Sequence, residues 1–222
     1  MSLILRNISK KVYFSGKEIN ILNSINLEIQ YEKITVLSGD SGSGKSTLLN
    51  IMALIDTPSS GEYIIDGKTV NNLNSSESAD LRAKYLGVVF QNFNLLPKMS
   101  SYDNVKLPLY LNKDVDSKER HDIVIDKIEM VGMINRTNHF PNTLSCGEQQ
   151  RIAIARSIVN NPRVVFADEP TGNLDKTNEE IILNYFKKIA NNGKAIFIVT
   201  HSERLKNVAD RVYTLKGGEV WE

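Results

Sequence analysis

Gly39-Asp40-Ser41-Gly42-Ser43-Gly44-Lys45-Ser46-Thr47 stands between two segments of different periodicity, and the way it joins them decides the fold. Before it, Ile34-Thr35-Val36-Leu37 is a short apolar run of strand length; after it, Ser46 to Leu54 carries helix-forming residues. The order is therefore strand, glycine-rich loop, helix. A backbone that turns through glycines into a helix start points its N–H groups inward, and the positive end of the helix dipole adds to them. Lys-Ser placed directly at that helix start completes the Walker A pattern: the loop cradles phosphate oxygens, the Lys reaches the β- and γ-phosphates, and the hydroxyl ligates Mg²⁺. A glycine turn of purely structural origin has no reason to put Lys-Ser there. Gly39, Ser41, Gly42, Ser43, Gly44, Lys45, Ser46 and Thr47 are thus candidate phosphate-binding residues, with ATP and Mg²⁺ as the expected ligands.

Working outward, the same alternation of elements recurs. Val164 to Ala167 and Ala195 to Val199 are compact β runs separated by a segment in which Ile181, Ile182, Tyr185, Phe186 and Ile189 share one helical face. Strands alternating with helices argue for an α/β core with a mostly parallel sheet. Alternation in Leu3 to Ile8 and Ile19 to Ile29 predicts two half-buried strands, antiparallel neighbours in a separate β layer. Asp66-Gly67 and Gly217-Gly218 each lie between extended segments and read as two-residue hairpins. From Ser101 to Asn160 the pattern is mainly helical, with Ile128 and Val131 packing inward, so a helical insert interrupts the core. The expectation is one domain over 1–222, with the core at about 1–90 and 161–222 and the insert at about 91–160.

The 222 residues and 41% hydrophobic content suit one well-packed domain. With 27 Lys+Arg against 26 Asp+Glu, no overall field exists to attract nucleic acid, and any partner is recognised locally. Cys146 is the single cysteine, so no intramolecular disulfide forms, which suits a reducing cytosol. No run approaches the ~18 apolar residues of a membrane helix, and the first residues lack the features of a secretion signal. If the protein works at a membrane, other subunits supply the membrane.

Val164-Val165-Phe166-Ala167-Asp168-Glu169 ends a buried strand in two acids. Asp168 is the candidate Mg²⁺ partner beside Ser46, and Glu169 the candidate base that polarises water for in-line attack on a γ-phosphate. Asn142-Thr143-Leu144-Ser145-Cys146-Gly147-Glu148-Gln149-Gln150-Arg151 precedes that strand. Here the sequence resembles the ABC transporter ATPase family, whose signature is Leu-Ser-Gly-Gly-Gln. Further matches are Gln91 in Val-Val-Phe-Gln-Asn-Phe, Asn173-Leu174-Asp175, and His201 in Ile-Val-Thr-His, all in family order. The resemblance implies that Gln91 senses Mg²⁺ and the membrane part, that Asp175 joins a dimer contact, and that His201 contacts the γ-phosphate. Read singly, Gln91 is equally a loop amide, Asp175 a turn or helix cap, and His201 a histidine at a strand end.

In the family an aromatic ring ahead of the phosphate loop stacks on adenine; Tyr13, with Phe14 beside it, is the candidate, or else a core residue of a β edge. Phe90 to Pro97, Asp103 to Leu109 and Ala167 to Asp175 look most like the lipoprotein-releasing and macrolide-export branch. That resemblance implies two chains facing each other across ATP, a homodimer in which Ser145 and Gly147 of one close on the γ-phosphate held by the other. It also implies membrane permease subunits as partners and a cytoplasmic location, peripheral on the inner face of the cell membrane. Phe93, Leu95, Leu96, Pro97 and Met99 either line a groove for a permease helix or belong to the core. The leading reading is the ATP-hydrolysing subunit of an exporter or extractor. The alternative is a non-transport regulatory ATPase of the cell-division type; a DNA-repair or chromosome ATPase is disfavoured because no coiled-coil insertion or basic excess is present. Cys146 replaces the first signature glycine and Glu148 its glutamine. If residue 146 needs positive φ, a side chain there costs on the order of 1 kcal/mol; otherwise cysteine is a tolerated small residue.

Overall fold

The computed structural model describes residues 2–14 and 16–222. Two sheets carry the architecture. The first is antiparallel, built from β1 (Ser2–Phe14), β2 (Lys17–Gln30), β4 (Ser60–Ile65) and β5 (Lys68–Thr69) in the order β2-β1-β4-β5. The second contains β3 (Ile34–Ser38), β6 (Leu86–Val89), β7 (Val164–Asp168), β8 (Ala195–Val199), β9 (Arg211–Lys216) and β10 (Glu219–Trp221) in the order β10-β9-β3-β8-β7-β6. Its neighbours pair in parallel from β9 to β6, and only β10 runs antiparallel. The expected α/β class with a mostly parallel sheet and a separate β layer is what forms.

β1 extends past the expected end at Ile8 to Phe14 because its ladder with β2 continues after the apolar alternation has stopped. Residues 11–14 are exposed, so no burial pattern marks them. Asp66 and Gly67 both take positive φ, 48° and 80°, the conformation that a tight hairpin with right-handed strand twist demands. Gly217 and Gly218 do the same between β9 and β10.

Helices α1 (Lys45–Met52), α2 (Ser75–Tyr85), α3 (Ser101–Lys106), α4 (Arg120–Met130), α5 (Cys146–Ile158), α6 (Lys176–Asn191) and α7 (Glu203–Val208) complete the fold. α2 buries none of its residues, so it lacks apolar periodicity; only the capping box of Asn74 with Glu77 announces it. α6 buries Ile182, Leu183, Phe186 and Ile189 along one face.

Alternate residues of the parallel strands feed two cores. Leu37, Phe166 and Phe197 face the antiparallel layer, packing with Leu3, Leu22, Leu48 and Met52. Val36, Val165 and Ile198 face the opposite way, into one apolar cluster with Val105, Val124, Ile128 and Ile152 of the helical segment. The helical layer shares its core with the sheet rather than enclosing one of its own. Burying that many large apolar side chains, at about 1.5–3 kcal/mol each, holds the strand ends in fixed relation. The glycine-rich loop leaves the end of β3, and Asp168 ends β7, so both stand at the carboxyl edge of the parallel strands, where α/β sheets bind ligands.

Candidate nucleotide-hydrolysing site

The loop after β3 is shaped by its glycines at two points. Gly39, at φ 147°, passes so close to β9 that a Cβ would collide with the Leu215 carbonyl. Gly44 caps α1 at φ 102°, and a Cβ there would lie 3.1 Å from both Ile21 O and Leu22 Cδ2. Between them Ser41 and Gly42 are exposed and Ser43 half-buried, as is Thr47 in the first turn of α1. Lys45 is buried; its Nζ folds back to donate to Gly39 O at 2.8 Å and Asp40 O at 2.7 Å. The cation is thereby held over the mouth of the loop. Ser43 Oγ is buried without a hydrogen-bond partner. An orphaned hydroxyl in a glycine-rich loop that runs into the start of α1 suits phosphate oxygens as its missing partners.

Ser46 Oγ donates to Asp168 Oδ2 at 3.2 Å. Burial pushes the Asp168 carboxyl above the ordinary carboxylate range, opposed by that hydrogen bond and by the charge of Lys45. Among the described residues no group of three or more His, Cys, Asp or Glu is placed to hold a metal. A hydroxyl and one carboxylate with phosphate beside them fit Mg²⁺, which keeps several waters and takes few protein ligands.

Glu169 follows Asp168 at φ 42°, a left-handed conformation that turns its side chain across the end of β8. Glu169 Oε2 accepts from Thr200 Oγ1 at 3.1 Å and from the His201 backbone N–H at 3.3 Å. Its Oε1 is buried without a hydrogen bond, 3.5 Å from His201 Nε2. One oxygen is thus fixed by two donors, while the other has no hydrogen-bond partner among the described residues. Thr200, fully buried and also accepting from Ser202 N–H at 3.0 Å, is a positioning group that motif reading missed.

Gln91 lies exposed in the loop after β6. That loop is strained: Phe93 and Asn94 take φ of 60° and 48°. Arg156 of α5 holds it, donating to Phe93 O and Asn94 O at 2.6 Å each. Arg156 too escaped the sequence reading, since nothing in α5 shows which loop its side chain will meet. Leu95 packs on the core, while Leu96 and Pro97 are exposed. The nearby groove of about 270 Å³ is lined instead by Arg82, Val88, Phe90, Asn94, Leu111 and Arg156.

The signature and Asp175 form a second group. Ser145 caps α5, accepting from Glu148 N–H at 3.3 Å, while Glu148 Oε2 accepts from Ser145 N–H at 2.9 Å. The Ser145 N–H and Arg136, whose Nε stands 3.1 Å from Glu148 Oε1, hold the Glu148 carboxyl below its ordinary range. Glu148 therefore serves the capping box in the place of glutamine. Cys146 is the first residue of α5 and is absent from the positive-φ positions, so the strain considered for it does not arise. Asp175 caps α6, accepting from Asn178 N–H at 2.8 Å, and Gly147 is buried against the Asn178 side chain. Among the described residues no hydrogen bond joins Ser145 or Gly147 to Lys45, Ser46, Asp168 or Glu169. Tyr13 is 77% exposed near the end of β1, its hydroxyl on Glu18, which excludes the core alternative and leaves the ring face available.

Strand, phosphate loop and helix beside a strand that ends in two acids define a phosphate-loop nucleoside-triphosphate hydrolase. The family model described as ABC transporter matches residues 22–172, and the chain belongs to that family. An uncharacterized ABC transporter ATP-binding protein of Methanocaldococcus jannaschii is 41% identical over 213 residues, 96% of this chain and 95% of that protein. The macrolide export ATP-binding/permease protein MacB of Bdellovibrio bacteriovorus is 41% identical over 216 residues, 97% of this chain and 33% of that protein. The chain thus spans about a third of the length of the macrolide export relatives it matches. A dimeric ATP-binding cassette in a post-hydrolysis state, bound to ADP and Pi, superposes with a TM-score of 0.91 at 37% identity, covering 99% of this chain and 97% of that one. The chain is an ATP-binding and ATP-hydrolysing ABC cassette, and no helix among the described residues is long and apolar enough to cross a membrane.

Proposed function

We propose that two copies of this cassette close head to tail around two molecules of MgATP and drive membrane permease subunits that export or extract an apolar cargo of the macrolide type. The observation that carries the reading is the division of the candidate residues into two groups. Lys45 and Ser46 start α1, Ser46 is hydrogen-bonded to Asp168, and Glu169 to the His201 N–H, whereas Ser145, Gly147 and Asp175 stand at the starts of α5 and α6 and, among the described residues, make no hydrogen bond to the first group. Each group completes the other only across a pair of chains.

In this reading the phosphate loop with Lys45 holds the β- and γ-phosphates, and Ser46, Asp168 and Gln91 attend the Mg²⁺. The ion, when bound, neutralises charge on the phosphates. Glu169 takes a proton from the attacking water through Oε1 while Thr200 and the His201 N–H hold Oε2, and the His201 ring contacts the γ-phosphate. Ser145 and the Gly147 N–H of the facing copy close over that phosphate at the positive end of α5. Loss of the γ-phosphate removes those contacts and shifts the pair toward open, because the ligand's differential affinity for the two states sets the equilibrium. Tyr13 stacks on the base. The helical segment 91–160 conveys closure to the permease, which docks in the groove beside the Arg156-held loop. Similarity to the MacB relatives supports the export class, the dimeric neighbour supports the pairing, and the location is the cytoplasmic face of the membrane. The near balance of charges supports no nucleic-acid partner.

Complementation tests the shared site. Lys45→Ala disables the phosphate loop and Ser145→Arg the signature, so each chain alone is inactive. Mixed, they form pairs with one complete site, and ATP hydrolysis returns. A mixture that stays inactive while heterodimers are detected refutes the composite site.

A further inference from the structure

Gly147 is the second residue of α5 and is absent from the positive-φ positions, so conformational freedom does not explain why glycine stands there. Space does. A Cβ built on Gly147 stands 2.7 Å from Asn178 Cγ and 3.2 Å from its Nδ2. A flexible side chain would yield to such a neighbour, but this one is tied down. Asn178 Nδ2 donates to Asp175 Oδ2 at 2.9 Å, and the Asn178 backbone N–H donates to Asp175 Oδ1 at 2.8 Å. The amide therefore bridges two elements: one side closes the turn that begins α6, and the other lies against the first turn of α5. Hydrogen bonds to the Asp175 carboxylate are charge-assisted and short, the kind that fixes a side-chain rotamer. Those bonds hold the Asp175 carboxyl below its ordinary range.

We propose that Asn178 is a positioning residue that locks the Asp175 segment to the Ser145–Gly147 turn, so that the two segments facing the second cassette are presented as one rigid unit. This rests on the two-cassette reading above. Glycine at 147 is demanded by Asn178, in addition to any contact its backbone makes with the nucleotide. A methyl group at 147 forces the amide to swing, the swing breaks the bond to Asp175, and the disturbance passes from α5 into the segment before α6. Removing the Asn178 amide removes the methyl group's closest contacts, because the three nearest atoms all belong to that amide.

The test compares wild type, Gly147→Ala, Asn178→Ala and the double variant as full-length chains. Alanine in place of a helical glycine favours the helix itself, so folding is retained. The first measurement is amide hydrogen exchange of the free protein over residues 173–178. Gly147→Ala, although it lies in another element, is expected to speed exchange there about fivefold or more, as Asn178→Ala does. The second measurement is ATP-dependent dimerisation by light scattering, with Glu169→Gln added to each chain to suppress turnover. Gly147→Ala is expected to weaken it about tenfold, Asn178→Ala about threefold, and the double variant to recover to the Asn178→Ala level, a non-additive result. A double variant as weak as Gly147→Ala overturns the proposal, since glycine is then needed for the nucleotide alone. Unchanged exchange over 173–178 in Gly147→Ala overturns it as well. If the Glu169→Gln chain stays monomeric with ATP, the two-cassette reading fails, and the exchange result still decides the role of Asn178.

Discussion

Glu169→Gln is expected to separate hydrolysis from binding, because of the way the carboxylate is held. Oε2 accepts from Thr200 Oγ1 and from the His201 N–H. A glutamine carbonyl accepts both bonds in the same place, so the turn at φ 42° and the end of β8 stay as they are. The other oxygen, buried and without a hydrogen bond, becomes an NH₂ that donates where the carboxylate would accept from water. General-base assistance is worth about 10²–10⁴ in rate, or about 2.7–5.4 kcal/mol of barrier. Turnover is expected to fall by that factor. ATP affinity is expected to stay within about threefold and folding stability within about 1 kcal/mol, since the two fixed hydrogen bonds are kept. Phosphate release on protein freed of contaminating ATPase measures the first, calorimetry with MgATP the second, and urea denaturation the third. Turnover within a few-fold of wild type refutes Glu169 as the base. Lost affinity together with lost stability refutes the claim that glutamine preserves the hydrogen bonds.

Lys45→Ala removes the cation seated over the loop carbonyls, and ATP affinity by calorimetry is expected to fall about tenfold or more, the loss of a charge-assisted contact; unchanged affinity refutes the cradle geometry. Arg156→Met leaves the Phe93 and Asn94 carbonyls without their donor, and urea denaturation is expected to show a loss of about 2–4 kcal/mol. A loss under about 0.5 kcal/mol means the loop is held by something else. Cys146→Gly is expected to change the ATPase rate less than about twofold, because residue 146 already has a helical backbone that any side chain tolerates; a marked gain with glycine and none with alanine contradicts that conformation.

The phosphate loop, the acid pair at 168 and 169, both two-residue hairpins and the amphipathic face of α6 were legible from the sequence alone. Each is governed by residues within a few positions of one another, where glycine conformations, helix and strand periods, and capping rules operate. Even where a motif was read, its local state waited on the structure: Asp175 caps a helix, Tyr13 is exposed, and Cys146 begins α5 without strain. Arg156 reaching Phe93, Thr200 steadying Glu169 and Asn178 filling the space beside Gly147 were decided by the tertiary structure. These pairs join residues roughly thirty to sixty positions apart, and no local rule brings them together. They meet because alternate residues of the parallel strands bury into two different cores, which sets where each strand end and helix start comes to rest.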